Sequence, residues 1–243
     1  MSESTKVALV TGANKGIGYE IALGLGGTGA TVLVGARDRE RGLAAAEKLA
    51  AEGVAAVPIQ LDVTDPLSVT AAAALVEREY GRLDILVNNA GVMVERGQRP
   101  SRTPLEVLEH TYATNVYGVV AVTNAMLPLL REAPAARIVN LSSGLGSMAL
   151  TSDPDGPFPG ALLLAYNSSK SALNSITVTY ANELRDTPIK VNAADPGYCA
   201  TDLNGHAGPR TPAQGAVAAV RLATLPADGP TAGFFDDAGT VPW

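Results

Sequence analysis

Apolar positions along this chain follow two rhythms that alternate from one end to the other. Short unbroken runs of β-branched and aliphatic residues read as strands buried on both faces. The first is KVALVT at 6–11, followed by TVLVGA at 31–36, AAVPIQLDV at 55–63, LDILVN at 83–88, RIVNLSS at 137–143, IKVNAAD at 189–195 and GFFD at 233–236. Pro58 has no N–H to give to a ladder, which puts the third run at a sheet edge or an irregular position. Between these runs, apolar residues spaced three and four apart predict helices over 16–27, 38–52, 65–80, 104–131, 164–186 and 211–224. The long 104–131 stretch is expected to be interrupted near Pro128. Strand and helix in strict alternation predict an α/β fold, with 1–243 as a single domain. Its centre is a Rossmann-like, doubly wound parallel sheet of about seven strands with helices on both faces.

One segment departs from the rhythm. TSDPDGPFPG at 151–160 concentrates proline, glycine and aspartate and is expected to be a loop, read first as a surface excursion and otherwise as a pocket wall or a modifier of subunit contacts.

Composition narrows the class. A hydrophobic fraction of 47% with 17% charged residues allows a substantial core. A net charge of −6 provides no basic face for nucleic acid or an anionic membrane. The single cysteine, Cys199, has no internal partner, and the cytoplasm is the expected compartment. The start MSESTKVALV lacks the apolar run of a secretion signal, and no stretch of about 18 continuous apolar residues predicts a membrane span. No His, Cys and carboxylate grouping has zinc spacing, so no metal is expected. His110 reads as structural, and His206 as a loop residue more than a substrate contact.

Thr11-Gly12-Ala13-Asn14-Lys15-Gly16-Ile17-Gly18 joins the first strand to the first helix. Glycines at such a junction let the backbone turn sharply and approach a pyrophosphate at the helix start. A dinucleotide site for NAD usually presents a carboxylate at the end of the second strand, whereas one for NADP presents an arginine. Here that strand ends Gly35-Ala36-Arg37, so Arg37, helped by Lys15, favours a 2′-phosphate and NADP(H). Asp38 is the residue through which NADH use stays open.

Tyr166 and Lys170 stand four apart at the start of a predicted helix, hence on one face. A neighbouring ammonium is expected to draw the phenol toward neutral pH, where it exchanges protons with a substrate oxygen. Asn88-Asn89-Ala90-Gly91, Ser142-Ser143 and Pro196-Gly197 all end strands, the edge at which a doubly wound sheet binds ligands.

The ordered set TGANKGIG, NNAG, Asn115, the serine pair, YNSSK and PGYCAT resembles the short-chain dehydrogenase/reductase family over almost the whole chain. NKGIG, GARDRERG and GFFDDAGTVPW make it most similar to the NADPH-dependent carbonyl reductases. The resemblance implies that Tyr166 is the acid/base, that Lys170 tunes it, and that Ser143 hydrogen-bonds the carbonyl. It implies that Asn115 holds a water linking Lys170 to solvent. Cofactor contacts would come from Gly12, Asn14, Lys15, Gly16, Ile17, Gly18, Arg37, Asp62, Val63, Asn89, Ala90, Gly91, Pro196, Gly197 and Thr201, with Tyr166 and Lys170.

The implied activity is NADPH-dependent reduction of a ketone or aldehyde to an alcohol. Oxidation of a secondary alcohol with NAD(P) is the alternative, and a non-catalytic NADP(H)-binding sensor is the remote one. Met93, Leu145, Phe158, Tyr198 and Leu203 are candidates for an apolar pocket, and Cys199 for a packing residue beside the nicotinamide. The gap from Ser143 to Tyr166 is longer than is usual in the family, by about the 151–160 segment. That insertion leaves monomer and homo-oligomer both open.

Overall fold

A computed structural model describes residues 5–95 and 97–243. Residues 1–4, part of the start examined for a secretion signal, lie outside the described residues. The strands are β1 (Val7–Thr11), β2 (Thr31–Ala36), β3 (Ala56–Gln60), β4 (Ile85–Asn88), β5 (Arg137–Leu141), β6 (Lys190–Ala194) and β7 (Phe234–Phe235). They form one parallel sheet in the order β3-β2-β1-β4-β5-β6-β7. Pro58 lies on β3, the sheet edge, where a missing donor costs least.

Side chains alternate across the sheet. Ala8 and Val10 face a core built with α1 (Gly16–Gly26), α2 (Arg39–Ala51) and α8 (Pro212–Ala223), through Ile21, Leu25, Leu49 and Leu222. Val7 and Leu9 face the opposite core, built with α3 (Pro66–Tyr80), α5 (Val119–Arg131) and α7 (Leu164–Glu183), through Val76, Met126, Leu130 and Leu184. Two layers of helix therefore bury both faces of the strands, as unbroken apolar runs require.

The interruption in the 104–131 stretch falls elsewhere than expected. α4 (Leu105–Tyr112) passes through a π-helical segment, Ala113–Gly118, into α5. Pro128 sits inside α5 near its end, where its ring removes one hydrogen bond without ending the helix. Among the described residues, Leu105–Arg131 is long and apolar enough to cross a membrane by length and composition. In the fold, its Val122, Met126 and Leu130 are buried against the sheet. The 151–160 segment is also not wholly loop, because α6 (Met148–Ser152) includes its first two residues, Thr151 and Ser152. Turns carry the chain from there to α7.

Candidate active site

The strand order reverses direction of growth between β1 and β4, and a doubly wound sheet opens a crevice at that switch point. Thr11, the last residue of β1, pins the two strands together. Its hydroxyl accepts hydrogen bonds from the Asn89 and Ala90 amides at 3.0 and 2.9 Å. The Asn89 side-chain amide donates in return to the Thr11 and Gly12 carbonyls at 2.8 and 3.2 Å. Gly12 and Gly16 both take positive φ, 63° and 56°. A Cβ on Gly18 would stand 2.4 Å from Asn89 Nδ2 and 2.5 Å from the Gly12 carbonyl oxygen. The turn is therefore closed tightly on the start of α1, and no side chain caps that helix. Free first-turn amides beside a positive-φ glycine turn form an anion cradle.

Asn14 is half-buried in this turn, and Gly91 lies within contact range of Asn115 Oδ1 and Lys170 Nζ. Ile17 turns its side chain toward Gly215 of α8, so only its backbone faces the crevice side of the turn. Thr201 lies across from Gly16, while Val63 packs against Gly118. Asp62 accepts from the Thr64 amide and hydroxyl at 2.9 and 2.7 Å, and the Thr64 bonds hold its carboxyl below the usual range. Gly197, next to Pro196, takes φ of 69°.

At the end of β2, Ala36 is buried and Arg37 is exposed. Asp38 is occupied: its carboxylate caps α2 by accepting from the Arg41 amide at 3.0 Å, and it pairs with the Arg41 guanidinium. Lys15 was expected to add positive charge to the dinucleotide end. Its ammonium instead pairs with Asp202, which also holds His206 Nε2 at 2.8 Å. His206, in the same loop, sits at φ 62°.

Helix α7 hangs from β5 by a polar face. Lys170 Nζ donates to the Leu141 carbonyl at 2.8 Å, Ser142 Oγ to Asn174 Oδ1 at 2.6 Å, and Asn140 Nδ2 to Thr177 Oγ1 at 2.9 Å. Residues 170, 174 and 177 share one face at helical spacing, so these rungs fix both the depth and the rotation of α7. Tyr166, one turn earlier, is buried, and its phenol hydrogen-bonds the Ser143 side chain. Lys170 Nζ lies 5.7 Å from the centre of the Tyr166 ring.

The phenol is not drawn toward neutrality. Burial pushes it up to about 12, against the opposing Ser143 bond, and Asp195 pushes it the same way. Burial also brings Lys170 down to about 8, which Asp195 partly offsets. Asp195 follows β6, accepts from the Gly197 amide at 2.9 Å and from the Gly144 amide, and is itself raised by burial. Desolvation dominates all three groups.

Asn115 lies in the π segment and is fully buried. Its side chain accepts from the Val92 amide at 2.8 Å and donates to the Val92 carbonyl at 2.9 Å and to Ser169 Oγ at 3.0 Å. The side chain is thus committed to protein partners that tie the stretch after β4 to α7. Phe158, in the insertion, reaches back to within contact of Gly144, where a Cβ would meet its ring at 2.8 Å. This packs the insertion against the residue that follows Ser143. Met93 and Leu145 are half-buried, whereas Tyr198 and Leu203 are exposed at the rim. Cys199 is buried, with its sulfur packed where a Gly215 side chain would be. His110 lies in the last turn of α4 and is exposed. Among the described residues no cluster of His, Cys or carboxylates is arranged to hold a metal.

Sequence reasoning missed Glu95, whose buried carboxylate bonds the Tyr166 amide, and the Asn140, Asn174 and Thr177 rungs. No motif marks Glu95, and the rungs are signalled only by polar residues at helical spacing.

The family model for short chain dehydrogenases matches residues 6–211. Short-chain dehydrogenase anuI of Penicillium roqueforti is 39% identical over 231 residues, covering 92% of this chain and 91% of that protein. Carbonyl reductase [NADPH] 1 of Sus scrofa is 35% identical over 282 residues, covering 100% of this chain and 96% of that protein. The solved structure of salutaridine reductase from Papaver somniferum superposes with a TM-score of 0.82 at 31% identity, covering 96% of this chain and 99% of that one. With the parallel seven-stranded sheet and these matches, the chain belongs to the short-chain dehydrogenase family of oxidoreductases, and within it resembles the carbonyl reductases.

Proposed function

We propose that residues 1–243 act as one NADP(H)-binding unit that reduces a small-molecule ketone or aldehyde to its alcohol, with Tyr166 as proton donor. The observation that carries this reading is the buried phenol of Tyr166, hydrogen-bonded to Ser143 and followed one turn later by Lys170, beside the glycine turn. The turn and the uncapped start of α1 suit a pyrophosphate. Exposed Arg37 suits a 2′-phosphate, while Asp38 is spent on capping α2, which weighs against a ribose 2′-OH partner there. The similar protein from Sus scrofa carries NADPH in its name.

When bound, the reduced nicotinamide supplies the hydride that goes to the carbonyl carbon. The chain supplies orientation and the proton. Ser143 donates to the substrate oxygen and holds it at the Tyr166 hydroxyl. A phenol pushed up to about 12 is fully protonated at neutral pH, which suits a donor. As the proton leaves, the Lys170 ammonium steadies the phenolate oxygen by its charge. Half-buried Met93, Leu145 and Phe158 favour an apolar substrate. The single, buried cysteine suits the reducing cytoplasm.

The test follows oxidation of NADPH and NADH with a panel of aldehydes and ketones, with Tyr166→Phe run in parallel. Turnover with NADPH that Tyr166→Phe loses supports the reading. Turnover only of alcohols with NADP+ reverses the assigned direction, and NADPH binding without turnover in either direction overturns the enzyme reading.

A further inference from the structure

The helix bearing Tyr166 and Lys170 starts without a cap of its own, since its N-cap residue, Leu163, has no side-chain acceptor. Its second and third residues are Ala165 and Tyr166. Their amides donate to the two oxygens of one carboxylate: Ala165 N to Glu95 Oε1 at 3.1 Å, and Tyr166 N to Glu95 Oε2 at 2.9 Å. Glu95 is 6% exposed, so this charge is held away from water. A buried carboxylate is tolerated only where donors surround it, and the positive end of a helix provides them.

An ordinary cap comes from the residue just before its helix and says nothing about the rest of the fold. This one comes from 70 residues away, in the stretch that follows NNAG. The same stretch is held at Val92 by both ends of the Asn115 side-chain amide, and Asn115 also grips Ser169 on α7. Met93, a candidate wall of the substrate pocket, lies between the two attachments. The stretch from Val92 to Glu95 is thus bolted to α7 at the backbone of the very residue whose phenol meets Ser143. Polar rungs hold the later turns of α7 to β5, while Glu95 holds the backbone amides of the first turn.

We infer that Glu95 is a positioning residue for catalysis, its carboxylate clamping the Tyr166 backbone so that substrate wall and proton donor keep one geometry. This rests on the reading of Tyr166 as proton donor. Glu95 touches neither substrate nor cofactor and acts through Tyr166.

The experiment compares Glu95→Ala, Glu95→Gln and Tyr166→Phe with the full-length wild type, using a carbonyl turned over with NADPH. Steady-state kinetics, NADPH binding by fluorescence and amide hydrogen exchange over the first turn of α7 are read for each. For Glu95→Ala we expect kcat to fall on the order of 10- to 100-fold with NADPH affinity changed less than about twofold, because misplacing a reacting group costs rate and not cofactor binding. Amides 165 and 166 should exchange faster, and Glu95→Gln, which keeps one acceptor, should recover much of the rate. A dead Tyr166→Phe beside an unimpaired Glu95→Ala overturns this inference alone. So does a loss in Glu95→Ala in which kcat and NADPH binding fall together with the folded fraction and Glu95→Gln restores nothing. A Tyr166→Phe enzyme that keeps its rate overturns the proton-donor reading, and this inference with it.

Discussion

Replacing Gly18 with alanine adds one methyl group at the tightest point of the glycine turn between β1 and α1. The new Cβ would stand 2.4 Å from Asn89 Nδ2, 2.5 Å from the Gly12 carbonyl oxygen and 3.1 Å from Ala13 Cα. The last two are backbone atoms of the turn and cannot step aside individually. Asn89 can swing away, but only by giving up its bonds to the Thr11 and Gly12 carbonyls. Those two bonds are worth about 1 kcal/mol each, and the residual overpacking costs about 1–3 kcal/mol. Against this, alanine in a helix gains about 1 kcal/mol over glycine. The balance is a loss of about 2–4 kcal/mol, or roughly 6–12 °C in Tm for a chain of this size. Thermal unfolding and NADPH fluorescence titration read the two consequences, lower stability and weaker cofactor binding. Gly27→Ala serves as the comparison. Gly27 is at φ −61° with no atom closer than 3.4 Å to its Cβ position, so Gly27→Ala should leave NADPH affinity unchanged and gain about 0.4–1 kcal/mol of stability. A Gly18→Ala protein with unaltered Tm and NADPH affinity would refute the argument that this turn is closed by contact.

The remaining predictions concern charge. Lys170, at about 8 instead of 10.5, binds its proton more weakly in the folded state than in the unfolded chain. Its burial therefore costs about 3 kcal/mol below pH 8, a cost that disappears as pH rises to 10.5. Lys170→Met forfeits the Leu141 bond, about 1 kcal/mol, so it should be inactive yet about 2 kcal/mol more stable at pH 7. Denaturant titrations at pH 7 and pH 10 check this, and an advantage that does not shrink at the higher pH sinks it. Arg37→Glu should raise KM for NADPH roughly 10- to 100-fold while sparing NADH, as expected for one lost charge-assisted contact. Equal effects on both cofactors would remove Arg37 from the 2′-phosphate. Arg137 is buried and bonds the carbonyls of Ala135, Ala136, Pro188, Leu225 and Pro226. Arg137→Met removes this donor from all five, although Ala136 and Pro226 keep the Lys190 and Gly229 amides, and should cost about 2–4 kcal/mol in urea unfolding without changing NADPH affinity once folded.

What could be read in advance follows from the range of each signal. Strand runs are local, and Pro58 announced an edge because a missing donor has one simple consequence. Tyr166 and Lys170 were legible because four residues in a helix fix a shared face. The break in the 104–131 stretch is expected near Pro128, whose missing N–H shows in the sequence. It lies at Ala113–Gly118, where Asn115 bonds Val92, and that tertiary contact leaves no local mark. The phenol shift was misjudged because proximity to Lys170 is visible in a sequence, whereas the burial that outweighs it is not. Lys15 was read against a ligand, and the fold gave it Asp202, distant in sequence but adjacent in space. Asn174 and Thr177 are polar, yet they lie on the buried face of α7.

The division of labour between sheet and insertion bears on how such an enzyme diversifies. The Tyr166 helix is registered by Asn140, Ser142, Leu141 and Glu95, all contributed by β5 and the stretches just after β4 and β5. Phe158, by contrast, reaches the crevice from an exposed, proline-rich excursion that owes little to the core. Changes in length or residue type within 153–160 can therefore reshape the surface beside Gly144 while the hydrogen-bonded frame around Tyr166 stays intact. With Tyr166 as proton donor and Phe158 beside its substrate, as proposed, selectivity would drift independently of chemistry, and a new substrate would not first have to be accommodated by a destabilised fold.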